Sequence, residues 1–215
     1  MIKSIVFDCD GTLVNTSFMI KVYHDTFTSM FTNEKFSKVE DFIPAYFLTN
    51  KGAIKYFEIP EDQQEKFENQ LRINFDKAAI NLTLYDGIEE LLKELIFKKI
   101  KLGVNTSRTE EGWDLMRDII QTQYHRQFEI VITNEKVKHH KPHPESILLY
   151  QKEAQLEKDE ILFIGDSPFD YECAYQAGVK FGVAGWGVQQ QFDWGTSIYF
   201  ETPQDVLKYL EEETV

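Results

Sequence analysis

Two hydrophobic periods divide the chain. Short, mainly apolar runs occur at 5–7, 100–104, 128–132, 161–164 and 181–183, each the length of a buried strand. Amphipathic helical stretches separate the later runs. One spans 88–98 with Leu91, Leu92, Leu95 and Ile96 apolar; a second carries Trp113, Met116, Ile119 and Ile120. Others span 145–154, 171–177 (stopped by Gly178) and 203–212. Strands alternating with helices predict an α/β fold with a doubly wound parallel sheet.

Residues 17–83 carry only the helical period. A helix is expected over 16–30, where Phe18, Val22, Phe27 and Met30 fall on one side and Thr16 or Ser17 stands at its start. A turn over 31–37, a short helix over 38–48 broken by Pro44, and a weak helical stretch over 51–57 follow. A stronger helix is expected over 61–80: Pro60 precedes it, acids fill its first turn, and Phe67, Leu71, Phe75 and Ala78 form a stripe. The block is rich in aromatics at helical spacing, which reads as a core of its own. The expected organisation is an α/β core domain over 1–16 and 84–215, with a small all-α domain over 17–83 inserted after the first strand.

Composition narrows the function. With 215 residues, 42% of them hydrophobic, the chain can bury a full core. A net charge of −13 argues against nucleic acid and against anionic membranes as partners. Cys9 and Cys173 are too few for a disulfide framework or a zinc site and read as small buried hydrophobes. No secretory leader and no membrane-span-length apolar run is read, so a cytoplasmic location is expected.

In a doubly wound sheet, ligands bind beyond the carboxyl ends of the strands. The first strand runs into Asp8-Cys9-Asp10-Gly11-Thr12. Two carboxylates at one strand tip repel unless a cation relieves them, and Mg²⁺ accepts carboxylate and phosphate oxygens. Gly11 allows a sharp exit with backbone N–H groups turned to a ligand. The strand at 100–104 ends at Asn105-Thr106-Ser107-Arg108, where a hydroxyl and helix-opening N–H groups suit either a phosphoryl oxygen or a helix cap. The loop at 136–144 is basic and includes Lys141; its His139, His140 and His143 lack a convincing metal-ligand set and read as exposed. The strand at 161–164 ends at Gly165-Asp166, with Asp170 four residues on. Lys51, Lys55 and Arg108 are candidate contacts for an anionic leaving group, an ordinary surface charge being the simpler reading of each.

Taken in order, these four stretches resemble the four motifs of the haloacid dehalogenase superfamily: Asp-x-Asp-Gly-Thr-Leu, a strand-end Thr, Lys-Pro-x-Pro-Glu, and Gly-Asp-Ser-x-x-Asp. Ala177-Gly178-Val179 and Gly185-Trp186-Gly187 add likeness to the phosphoglycolate phosphatase-like branch, whose core is Rossmann-like and whose cap is α-helical. The resemblance implies a phosphatase acting on a small phosphorylated metabolite. Asp8 would be the nucleophile, forming an aspartyl phosphate, and Asp10 the general acid and base. Thr106 and Lys141 would complete the catalytic set. Gly11, Thr12, Thr106, Ser107, Arg108 and Lys141 would contact phosphate or substrate. Asp8, Asp10, Asp166 and Asp170 would hold Mg²⁺, and the inserted block would be the cap. The expected assembly is a monomer or homodimer. A sugar-phosphate mutase of the beta-phosphoglucomutase type is an alternative, disfavoured because Gly165 stands where that relative has Glu before its Asp. A dehalogenase lacks the second Asp, and a non-catalytic phosphate-binding module has no need of four mutually repelling carboxylates.

Overall fold

The computed structural model describes residues 1–48 and 50–213; Thr49, Thr214 and Val215, inside the expected domain ranges, lie outside the described residues. The chain forms β1 (Ser4–Phe7) and, after a turn, β2 (Val14–Asn15). Helices α1 (Phe18–Met30), α2 (Ile43–Tyr46), α3 (Asn50–Tyr56) and α4 (Glu61–Ala78) follow, and β3 (Thr83–Leu84) then pairs antiparallel with β2. Next come α5 (Ile88–Phe97), β4 (Lys101–Asn105), α6 (Glu110–Asp114), α7 (Arg117–Ile120), α8 (Thr122–His125) and β5 (Phe128–Ile132). The chain continues through α9 (Glu145–Ala154), β6 (Ile161–Gly165), α10 (Pro168–Ala177), β7 (Lys180–Ala184), β8 (Ile198–Phe200) and α11 (Pro203–Glu212). Two compact units result: Met1–Asn15 with Thr83–Val215, and Thr16–Leu82.

The first unit holds a six-stranded parallel sheet in the order β5-β4-β1-β6-β7-β8. β1 and β6 are buried along their whole length, which explains why they read as unbroken apolar runs and not as alternating ones. The core joins Val6, Ile161 and Phe163 of the sheet to Ile147 and Tyr150 of α9 and to Cys173, Ala174 and Ala177 of α10. Tyr150 is buried with its hydroxyl 2.6 Å from Ser4 Oγ, so its polar end is satisfied inside the core. From β1 the chain builds β4 and β5 on one side, then crosses to build β6, β7 and β8 on the other. The switch point lies beyond the carboxyl end of β1.

The Thr16–Leu82 unit is helical around an aromatic core. Phe57 lies at its middle, with ring centroids 5.0 Å from Phe42 and 5.3 Å from both Phe27 and Phe36. Phe67 and Leu71 of the α4 stripe are buried in the same core. Asn74 Nδ2 on α4 donates to Thr26 Oγ1 on α1 at 2.9 Å, tying the two helices together.

Several elements differ from the sequence reading. β8 was not expected: it has three residues, of which only Phe200 is buried, too little to imprint a pattern. The helix expected after β4 breaks into α6, α7 and α8, with Gln121 at φ +64° ending α7. Thr83 and Leu84, on either side of the expected boundary between the all-α block and the α/β domain, form a strand that pairs with β2. Pro44 lies in the first turn of α2 and starts that helix, its missing N–H costing nothing there. Thr16 does not cap α1; its hydroxyl lies 2.8 Å from that of Tyr46. Both cysteines are free and buried, as expected. Among the described residues no helix is long and apolar enough to cross a membrane.

Because Phe57 touches so many rings, Phe57→Ala is expected to destabilise the Thr16–Leu82 unit by about 3–5 kcal/mol, the range for a buried aromatic truncated to a methyl. Denaturant melts followed by near-ultraviolet circular dichroism would measure it. A loss below about 1 kcal/mol would show that the core repacks around the void.

Candidate active site

The strand register brings the motif residues to one edge. Phe7 lies opposite Val104 of β4 and Ile164 of β6, so Asp8, Asn105 with Thr106, and Gly165 with Asp166 all emerge at the same level. The ladder runs one residue further at two places: Asp8 N donates to Ile164 O at 2.9 Å and Thr106 N to Ile132 O at 2.9 Å. Asp170 is the third residue of α10 and is fixed by a capping box. Ser167 Oγ and N donate to its Oδ2 at 2.5 and 3.2 Å.

The turn after β1 is closely packed. Gly11 has φ +82°, and a Cβ there would stand 2.2 Å from Asp166 Oδ2, so only glycine lets the turn approach that carboxylate. A second loop presses on it from behind: a Cβ on Gly187 would fall 1.6 Å from Gly11 O, and Trp186 Nε1 donates to Thr12 O at 2.9 Å.

Lys141 ties the centre together. Its Nζ donates to Asp8 Oδ1 at 2.6 Å, Asp170 Oδ1 at 2.6 Å and Asn105 O at 3.1 Å, with the side chain 7% exposed. Burial alone would strip its proton, but Asp170 and Asp8 outweigh burial and hold the ammonium charged beyond its ordinary range. Burial pushes the Asp8 carboxyl up to about 7; Lys141 pulls it down, while Asp170 and Asp10 add to the rise. The Asp166 carboxyl is pushed well above its usual range, by burial first and then by Asp8 and Asp170.

Three acids converge: Asp8, Asp166 and Asp170 are all buried, and each offers a carboxylate oxygen within 4.8 Å of the others. Thr12 Oγ1 donates to Asp166 Oδ1 at 2.9 Å, but Asp166 Oδ2 is buried with no hydrogen-bond partner among the described residues. An orphaned buried carboxylate oxygen beside two further carboxylates and one ammonium fits a divalent cation with oxygen preference.

Not every expected contact is where the sequence reading had it. The Asp10 carboxylate does not join the acidic trio as a ligand, because Arg108 binds both its oxygens. Arg108, expected at the phosphate, is thereby committed to Asp10. The Gly11 N–H donates to Val14 O at 2.9 Å; it closes the turn and is not presented to a ligand. Thr12, also expected at the phosphate, is fully buried and braces Asp166. Thr106 does not cap α6, a role taken by Thr109, whose Oγ1 accepts from Gly112 N. Thr106 Oγ1 instead accepts from Arg108 N at 3.1 Å, which leaves its own proton to donate. Ser107 is exposed, its carbonyl taken by Asn134 Nδ2 at 2.9 Å. His139, His140 and His143 are exposed, as are Lys51 and Lys55 of α3. The sequence reading gave no role to Trp186 and Gly187, although they stand just past the end of β7, where the strand-end rule directs attention. Nor did it single out Tyr85 after β3, whose hydroxyl is buried without a partner among the described residues.

Comparison with known proteins places the chain in a family. The family model for haloacid dehalogenase-like hydrolases matches residues 5–184. A Clostridium perfringens protein provisionally named pyrophosphatase PpaX is 32% identical over 192 residues, covering 84% of this chain and 82% of its own. Pyrophosphatase PpaX of Bacillus cereus is 26% identical, covering 86% and 84%. Among solved structures, a Lactobacillus plantarum protein provisionally named a phosphoglycolate phosphatase superposes with a TM-score of 0.77 at 22% identity, covering 97% of this chain and 99% of its own. CbbY of Rhodobacter sphaeroides, solved with phosphate, superposes with a TM-score of 0.73 at 19% identity, covering 96% of each chain.

The raised carboxyls fix a sign for the cation-free protein. A group whose pKa is higher folded than unfolded stabilises the fold at low pH and loses that contribution as pH rises through the folded value. With EDTA present, stability is expected to fall as pH rises from the ordinary value of 3.8 through about 7, on account of the raised carboxyls of Asp8 and Asp166. Each proton contributes a slope of up to about 1.4 kcal/mol per pH unit. Asp166→Asn should flatten the slope relative to wild type in urea melts across that window; an unchanged slope would contradict the assignment.

Proposed function

The chain belongs to the haloacid dehalogenase-like hydrolase family and is a phosphatase, and from that premise we propose that it hydrolyses a small phosphorylated metabolite through an aspartyl phosphate on Asp8, with Mg²⁺ as cofactor. The observation that carries this reading is the buried ammonium of Lys141, set at 2.6 Å from both Asp8 and Asp170 beside an Asp166 oxygen that has no partner among the described residues. A carboxylate nucleophile needs its charge balanced without being blocked, and Lys141 engages only Oδ1 of Asp8.

In the proposed reaction, Asp8 attacks phosphorus in line while Asp10 protonates the leaving oxygen. Asp10 then takes a proton from water as that water displaces Asp8 from phosphorus. Lys141 and the Thr106 hydroxyl supply positive charge and a donor to the equatorial oxygens, where charge develops. Asp8, Asp166 and Asp170 are the residues that would hold Mg²⁺, Asp170 chiefly by keeping Lys141 in place. When bound, the ion supplies charge neutralisation and orientation of the phosphoryl group. We assign the Thr16–Leu82 unit the part of a cap that excludes water and reads the leaving group.

For the substrate, the PpaX relatives favour pyrophosphate as the first candidate, with phosphoglycolate and other small phosphate monoesters next. The acidic net charge of −13 suits a small soluble ligand in the cytoplasm better than a nucleic acid or a membrane.

Purified protein is expected to release phosphate from at least one member of such a panel with Mg²⁺ present, and to lose that activity in EDTA. Asp8→Asn should lower turnover by at least about 10³-fold, the scale for removing a nucleophile, while still folding with a cooperative melting transition. Substantial turnover by that variant would refute the nucleophile assignment.

A further inference from the structure

Asp10 handles the proton in both halves of the proposed reaction, and its carboxylate is held. Arg108 Nε donates to Asp10 Oδ2 at 2.7 Å and Nη2 to Oδ1 at 2.6 Å, while Nη1 donates to Gly112 O at 3.4 Å. The arginine side chain is only 18% exposed. Its backbone is pinned on both sides: N donates to Thr106 Oγ1 at 3.1 Å, and O accepts from Asn134 N at 3.0 Å. Asn134 also grips the preceding carbonyl, and Thr109 opens α6 directly after. A surface arginine has no such anchoring, and an arginine reserved for substrate would not have an acceptor at each of its three nitrogens. The planar fork matches a carboxylate in two places at once, which fixes both the plane and the direction of the acid.

We propose that Arg108 is a positioning residue acting through Asp10, and that it serves the water-activating half of the reaction. This rests on the phosphatase reading above. Because the fork donates to both oxygens, what the Asp10 carboxylate offers a third group is acceptance. In that step a water oxygen bonds to phosphorus and the bond from phosphorus to the Asp8 oxygen breaks, its electron pair returning to Asp8. One proton of the water passes to Asp10, and phosphate leaves. A base that swings freely loses the alignment on which that transfer depends.

The test compares Arg108→Gln and Arg108→Lys with wild type, using 4-nitrophenyl phosphate and an alkyl phosphate, with Asp8→Asn as control. Positioning predicts that kcat falls about 100-fold in Arg108→Gln, the scale of a misplaced reacting group. Because kcat/KM reports only the steps up to phosphorylation of Asp8, it should stay within about threefold of wild type, and KM should fall together with kcat. Breakdown of the common aspartyl phosphate becomes limiting, so kcat converges for the two substrates and 4-nitrophenol appears in a burst close to the enzyme concentration. Lysine cannot form the fork and should rescue little. In an Asp10→Asn background, Arg108→Gln should add no further loss. A raised KM with kcat preserved would overturn the proposal in favour of a substrate contact. A further loss in the Asp10→Asn background would overturn it in favour of independent action. Should Arg108→Gln fail to fold, as read by its melting profile, Arg108→Lys carries the same readouts. If Asp8→Asn remains active the phosphatase mechanism itself fails; if it is inactive and KM alone moves, only the Arg108 assignment falls.

Discussion

The site depends on one ammonium among acids. Asp8, Asp166 and Asp170 are buried together, and carboxylates so placed cannot all be ionised without compensation. Lys141 meets two of them, and the loop that carries it leads directly into α9, whose inner face is part of the sheet's core. Position and charge are therefore coupled: what holds α9 against the sheet also holds the lysine at the acids. The remaining imbalance lies on Asp166, one of whose oxygens has no partner among the described residues and so suits a divalent cation.

The sheet's topology does the rest of the gathering. No two of the three central strands, β4, β1 and β6, are neighbours in sequence, yet their register places residue 8 beside 105–106 and 165–166. Residues far apart in the chain thus meet without any long loop reaching across. The tightest packing in the site is between backbones, where Gly187 lies against the carbonyl of Gly11 and Trp186 is hydrogen-bonded to the next carbonyl. The loop after β7 braces the turn that bears the acids, and it does so with no charged group.

Much of this could be read in the sequence, for identifiable reasons. β5, α9 and α11 have the bounds expected of them because each is a clean periodic run with a sharp edge. Asp8, Lys141, Asp166 and Asp170 could be singled out because polar residues at the ends of apolar strands are conspicuous, and their order matched a known motif series. Other features left no such trace. β8 is shorter than any usable period, and α6 to α8 are interrupted where only backbone geometry registers the break. The grip of Arg108 on Asp10 spans 98 positions and joins two residues that each had a plausible role alone; nothing in spacing relates them. Gly11 and Thr12 were expected at the phosphate, whereas the bonds they make here are to Val14 and Asp166. Their groups face into the turn and toward Asp166, a distinction of direction that composition does not encode.

The β2–β3 pairing has a consequence for how the molecule tolerates change. Val14 and Asn15 lie opposite Leu84 and Thr83, and Tyr85 N donates to Leu13 O at 3.1 Å, so the chain leaves and re-enters the α/β unit through adjoining rungs. To the strands, everything between those rungs is equivalent to the tip of a hairpin. The entropic penalty of closing such a loop grows only logarithmically with its length. The aromatic insert can thus lengthen, shrink or be exchanged for another during evolution while the acids of the α/β unit keep their register.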